Sequence, residues 1–174
     1  GHRRLSVHHR PVAPVLARVR GPVRERSGPW SEEVRLVGGG ILTSRNGRVA
    51  ILEQLRAAGV TRIFGNPGTV EQGFLDALSA FPDLQYILTL QESVTVLAAD
   101  GYARAARRPA VVQLHSSPGI GNAVGALYQA MRGHSPLVVI AGDAGVRYLN
   151  MDAQMAADLV GMMKPVTKYA TMVT

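Results

Sequence analysis

Between Thr61 and Ile140 short apolar runs alternate with longer segments of helical period, and few folds accept that rhythm. Val111-Val112 and Val138-Val139-Ile140 are apolar on successive residues, which suits strands covered on both faces. Strands are predicted at Thr61–Phe64, Tyr86–Leu90, Ala110–Leu114 and Leu137–Ile140. Helices are predicted at about Val70–Ala80, Ser93–Arg107 and Gly121–Met131. Another helix precedes the first strand, where Val49, Leu52, Leu55 and Arg56 keep a helical period and Gly59 closes it. A helix over about Ala153–Val160 and a short strand near Val166–Tyr169 complete the expectation. Repeated strand–helix order predicts an α/β fold, a doubly wound and mainly parallel sheet with helices on both faces.

Residues 1–46 carry no sustained period, and prolines at 11, 14, 22 and 29 interrupt every possible element. Gly38-Gly39-Gly40 closes this stretch like a linker, so 1–46 is expected to be a largely disordered extension and 47–174 the folded domain. The charge agrees with that division. The net charge is +7, yet residues 1–48 alone hold ten arginines against three glutamates, and the remainder holds nine basic and nine acidic residues. The basicity belongs to the extension, where the lone aromatic is Trp30, so stacking on bases has little support and a nucleic-acid partner is not expected. The chain has no cysteine, which excludes a disulfide framework, thiolate metal ligands and a cysteine nucleophile, and fits a cytoplasmic protein. No apolar run approaches the roughly 18–20 residues of a membrane-spanning helix, and the proline-broken Val12–Leu16 is a poor secretory core. An organelle transit peptide is the alternative for this arginine-rich start.

In open parallel sheets ligands gather at the carboxyl ends of the strands, which directs attention to four loops. Phe64-Gly65-Asn66-Pro67-Gly68-Thr69 follows the first strand; its glycines and proline make a tight turn that lets backbone approach a ligand, and Thr69 is placed to cap the next helix. Leu90-Gln91-Glu92 follows the second. Glu92 is either a first-turn glutamate stabilised by the helix dipole or a partly desolvated carboxylate, raised in pKa and suited to sharing a proton with a ligand nitrogen. Leu114-His115-Ser116-Ser117-Pro118-Gly119-Ile120-Gly121-Asn122 follows the third. His115 there is either a proton-transfer group or a satisfied structural donor, and the Gly119/Gly121 turn is expected to open a helix whose amides face an anion. Its glycine spacing departs from the dinucleotide fingerprint, so a nicotinamide site is rejected. Gly142-Asp143-Ala144-Gly145 follows the fourth strand and is expected to be a turn without chemistry.

Taken together, FGNPGT, LQES…AADGYARA, LHSSPGIGNAVGAL and HSPLVVIAG resemble the pyrimidine-binding domain of thiamine-diphosphate-dependent 2-oxo acid decarboxylases, benzoylformate decarboxylases in particular, from about Arg48 to Lys168. Acetolactate synthases more typically carry His-Glu before the helix and a Thr-Ser-Gly-Pro-Gly turn. The resemblance implies thiamine diphosphate as cofactor and a 2-oxo acid as substrate. Glu92 matches the glutamate that hydrogen-bonds the aminopyrimidine ring nitrogen and stabilises its imino form. His115 matches an active-site histidine that serves proton transfers around the substrate. Thr69 stands where benzoylformate decarboxylase has a serine near the substrate carboxylate. Gly65, Asn66, Pro67, Gly68 and Asn122 would line the cofactor.

That family holds the diphosphate and Mg2+ on a separate domain with a Gly-Asp-Gly run and a downstream asparagine, a pair that does not follow Asp143 here. No metal ligand is therefore expected on this chain. The resemblance implies a partner chain carrying a diphosphate-binding domain, or a homo-oligomer, and an isolated chain that binds thiamine diphosphate weakly and does not turn over. The small residues Ala98, Ala99, Ala103, Ala105 and Ala106, and Gly121, Ala123, Gly125, Ala126 and Ala130, either face that partner or pack internally. The alternatives are an acetolactate-synthase-like carboligase fragment and a non-catalytic interaction module on the same fold.

Overall fold

A computed structural model describes residues 33–37, 40–44 and 46–173. Strands β1 (Glu33–Val37) and β2 (Gly40–Ser44) pair antiparallel, with Val37 opposite Gly40. Both strands fall within residues 1–46, the stretch expected to be an extension. Apart from Asn46, the rest of the expected extension lies outside the described residues.

Four further strands, β3 (Arg62–Gly65), β4 (Gln85–Leu88), β5 (Ala110–Leu114) and β6 (Leu137–Ala141), form one parallel sheet in the order β4-β3-β5-β6. The helices are α1 (Gly47–Ala57), α2 (Gln72–Leu78), α3 (Glu92–Ala106), α4 (Ser116–Arg132) and α5 (Leu159–Met163). Successive residues of β3 and β5 enter opposite cores. Ile63 and Val111 meet Leu52, Leu55, Ala77, Phe81 and Leu84 from α1, α2 and the segment after α2. Phe64, Ala110, Val112 and Leu114 meet Val96, Ala99, Ile120, Ala123 and Leu127 from α3 and α4. Both faces are dry, as the unbroken apolar runs require. Leu52 is fully buried, so its truncation to alanine would cost roughly 2–5 kcal/mol. Ala99, Ala103, Ala123, Ala126 and Ala130 are buried in the same core, which assigns them to internal packing; Ala105, Ala106, Gly121 and Gly125 are exposed.

Local signals set the helix ends. The Asn46 side chain accepts from Arg48 N–H at 3.2 Å to start α1. At its other end Gly59 N–H bonds the Arg56 carbonyl and Val60 N–H the Leu55 carbonyl, both at 3.0 Å, with Gly59 left-handed at φ +78. That pair of bonds is a Schellman motif, with Val60 and Leu55 in one apolar cluster. The Gln91 side chain accepts from Val94 N–H and starts α3.

Two expectations near the C-terminus fail. The helix begins at Leu159 rather than Ala153, because the Asp158 carboxylate accepts from Gly161 N–H at 2.7 Å and caps it there. The strand near Val166–Tyr169 is absent among the described residues: Pro165, which has no amide hydrogen, sits in a 3-10 turn over Lys164–Val166, and Val166 is buried in the core.

Candidate functional site

The strand order reverses direction beside β3, so the carboxyl ends of β3 and β5 form the crevice where doubly wound sheets hold ligands. Asn66 ties those ends together. Its N–H donates to the Gln113 carbonyl on β5 at 3.2 Å, and its Nδ2 donates to the Thr89 carbonyl beyond β4 at 2.9 Å. Gly65 leaves space for the Tyr86 phenol, which crosses it to donate to Gln113 Oε1; a Cβ on Gly65 would stand 1.8 Å from that hydroxyl oxygen. Gln113 is buried, and its Nε2 donates to the Leu114 carbonyl. Burial first, and the nearby Glu71 charge second, push the Tyr86 hydroxyl well above the ordinary tyrosine range, so it stays a neutral donor.

Glu92 is the first residue of α3 and is half-buried. Its Oε2 accepts from Asn122 Nδ2 at 3.0 Å. Its Oε1 lies 3.3 Å from where a Cβ on Gly119 would sit, and the same point is 3.5 Å from the His115 Cβ. Gly119 is thus the small floor that lets Glu92 and His115 flank one spot. Among the described residues Glu92 Oε1 has no hydrogen-bond partner.

His115 caps the start of α4, and its ring lies over Gly68, where an added Cβ would come within 2.2 Å of Nδ1. The imidazole Nδ1 is 2.8 Å from Glu71 Oε2. Glu71 was not singled out in the sequence, although its position three residues after Gly68, in the first turn, is where a glutamate reaches back to a cap amide. Its Oε2 accepts from Gly68 N–H at 2.9 Å and its Oε1 from Gly142 N–H at 3.0 Å. Gly68, rather than the expected Thr69, therefore caps the 3-10 turn Thr69–Glu71; Thr69 is exposed. Gly142, expected to carry no chemistry, is part of this network through its amide. Pro67 lies half-buried in the same bend.

The helix at His115 begins at Ser116, not Gly121. Pro118 occupies the first turn, where its missing N–H costs no helical bond. Gly119 N–H already bonds the His115 carbonyl at 2.8 Å, and Gly121 lies beyond the first turn, so the anion-receiving turn expected at Gly119/Gly121 is not formed. Ser116 itself is left-handed at φ +44 and buried, an uncommon state for a non-glycine residue and one that concentrates at functional sites. The Ser116 and Ser117 hydroxyls both donate to the Met155 carbonyl, at 3.1 and 2.6 Å. Among the described residues no group of three histidine or carboxylate side chains is arranged to hold a metal, and no helix is long and apolar enough to cross a membrane.

Residues 45–162 match the family model for the thiamine pyrophosphate enzyme N-terminal TPP-binding domain. The chain belongs to this family. It is 45% identical over 114 residues to IlvX of Mycobacterium tuberculosis, named as an acetolactate synthase large subunit, covering 66% of this chain and 22% of that one. It is 44% identical over 123 residues to benzoylformate decarboxylase of Pseudomonas aeruginosa, covering 70% and 23%. Among solved structures, the thiamine-diphosphate-dependent 4-hydroxybenzoylformate decarboxylase of Rhodococcus jostii superposes with a TM-score of 0.70 at 36% identity, covering 74% of this chain and 24% of that one. The chain thus spans less than a quarter of the length of the curated relatives it matches.

Proposed function

We propose that this chain forms the aminopyrimidine-binding half of a thiamine-diphosphate-dependent 2-oxo acid decarboxylase of the benzoylformate-decarboxylase type. The observation that carries the reading is the pairing of Glu92 and His115 across Gly119, with one Glu92 oxygen held by Asn122 and the other without a partner among the described residues. That donor set fits an aminopyrimidine. Glu92 Oε1 is an acceptor at the mouth of the sheet, able to hold or release a proton toward a ring nitrogen, and Asn122 fixes the carboxylate's orientation by donating to its other oxygen. Glycines at 65, 68 and 119 make room for Tyr86, His115 and Glu92 to close in on the crevice, while Asn66 and Pro67 shape its wall. Bound thiamine diphosphate supplies the electron sink for bond cleavage beside the substrate carbonyl.

His115 exchanges protons with the substrate, and the exposed Thr69 hydroxyl hydrogen-bonds its carboxylate. The diphosphate and Mg2+ belong to another domain or partner chain, so the isolated chain binds thiamine diphosphate weakly and is inactive. Similarity to a protein named as an acetolactate synthase supports a carboligase as the second reading.

The test is nuclear magnetic resonance of the labelled chain titrated with thiamine diphosphate. Shifts are expected at Gly68, Glu92, Gly119 and Asn122, and Glu92→Gln should weaken them at least tenfold. Shifts confined to other surfaces, or an unchanged response in Glu92→Gln, would sink the reading. Supplying a diphosphate-binding domain in trans and comparing benzoylformate decarboxylation with pyruvate condensation separates the two activities.

A further inference from the structure

We propose that Glu71 is a positioning residue that fixes the tautomer of His115; its catalytic relevance rests on the function proposed above, but its geometry does not. Glu71 is only 4% exposed, and its carboxylate gathers three donors from three separate loops: Gly68 N–H after β3, His115 Nδ1 after β5 and Gly142 N–H after β6. Two of these are backbone amides, which only donate. An ionised carboxylate only accepts, so the hydrogen in the 2.8 Å contact to His115 sits on Nδ1. In the neutral ring the lone pair then lies on Nε2, because the hydrogen bond made by one nitrogen sets the state of the other.

Nε2 has no partner among the described residues, and the His115 side chain keeps 18% exposure. It is the nitrogen left to take a proton from a bound molecule. Glycine at two of the three loops is required by the same arrangement. A Cβ on Gly142 would fall 2.3 Å from Glu71 Oε1, and one on Gly68 would fall 2.2 Å from His115 Nδ1. Carboxylate, imidazole and both amides therefore form one closed unit, and a shift in any member moves the ring.

The experiment is long-range nitrogen–proton correlation of the 15N-labelled chain, above the pH at which the rings titrate. The His115 signals are assigned by their loss in His115→Gln. Wild type is expected to show His115 with a protonated Nδ1 and a bare Nε2. Glu71→Gln should move His115 toward the Nε2–H form, because the glutamine amide cannot accept from all three donors at once. A wild-type His115 carrying its hydrogen on Nε2 would overturn the proposal, whether or not Glu71→Gln folds. So would a folded Glu71→Gln with the wild-type pattern. Neither readout uses thiamine diphosphate, so loss of cofactor binding would damage the proposed function and leave this inference standing.

Discussion

Tyr102 carries its hydroxyl between two guanidinium groups at the opposite end of the sheet from the site. Arg108 donates to it from Nε at 3.0 Å and also from Nη2, and Arg62 Nη1 donates at 3.4 Å. Bonds from Arg108 first, then Thr61 and Arg62, lower the phenol from 10.0 to about 8. The folded value lies below the unfolded one, so the phenolate stabilises the fold fully above pH about 10, and that contribution is lost as pH falls through about 8. Relative to Tyr102→Phe, stability should rise between those values, and a difference titration of phenolate absorbance should show a midpoint near 8. A midpoint near 10 would refute the assignment. Glu92 and His115 stood out in the sequence because each ends an apolar strand run with a chemically capable side chain. Glu71 did not: its role depends on Gly142, 71 positions away, whose amide reaches Glu71 only once β6 lies beside β5.

Helices and strands were legible where one local signal had no competitor. The four parallel strands and α3 follow from apolar runs and period, and the Schellman end of α1 follows from Gly59. The start of α4 was obscured because Ser-Ser-Pro-Gly reads as a turn, yet a proline and a glycine are tolerated in a first turn that packing holds in place. Two glycines make the contrast measurable. Gly59 is left-handed, so Gly59→Ala should cost roughly 1–2 kcal/mol. Gly101 lies inside α3 with nothing within 4 Å of an added Cβ, so Gly101→Ala should gain roughly 0.5–1 kcal/mol. Urea denaturation of both variants checks the signs, and equal shifts would show that the Gly59 conformation does not govern the end of α1.

At the scale of the molecule, apolar side chains crowd the approach to Glu92. Leu90 is 93% exposed, and Leu88, Val94 and Leu97 are each more than half exposed. Such surface beside a candidate site is expected where a second domain or chain completes it. The proposed division of labour has a direct consequence for ligand affinity. If the pyrimidine is held here and the diphosphate elsewhere, the diphosphate adds little on this chain alone. One charge-assisted hydrogen bond contributes roughly 1.5–3 kcal/mol, so a diphosphate site on this chain would separate thiamine diphosphate from thiamine by about tenfold or more. Calorimetric titration at physiological salt, which screens the arginine-rich first 48 residues, should instead return similar dissociation constants for the two ligands. A tenfold preference for the diphosphate that survives added salt would mean that this chain holds both ends of the cofactor, and the proposed division of labour would have to be abandoned.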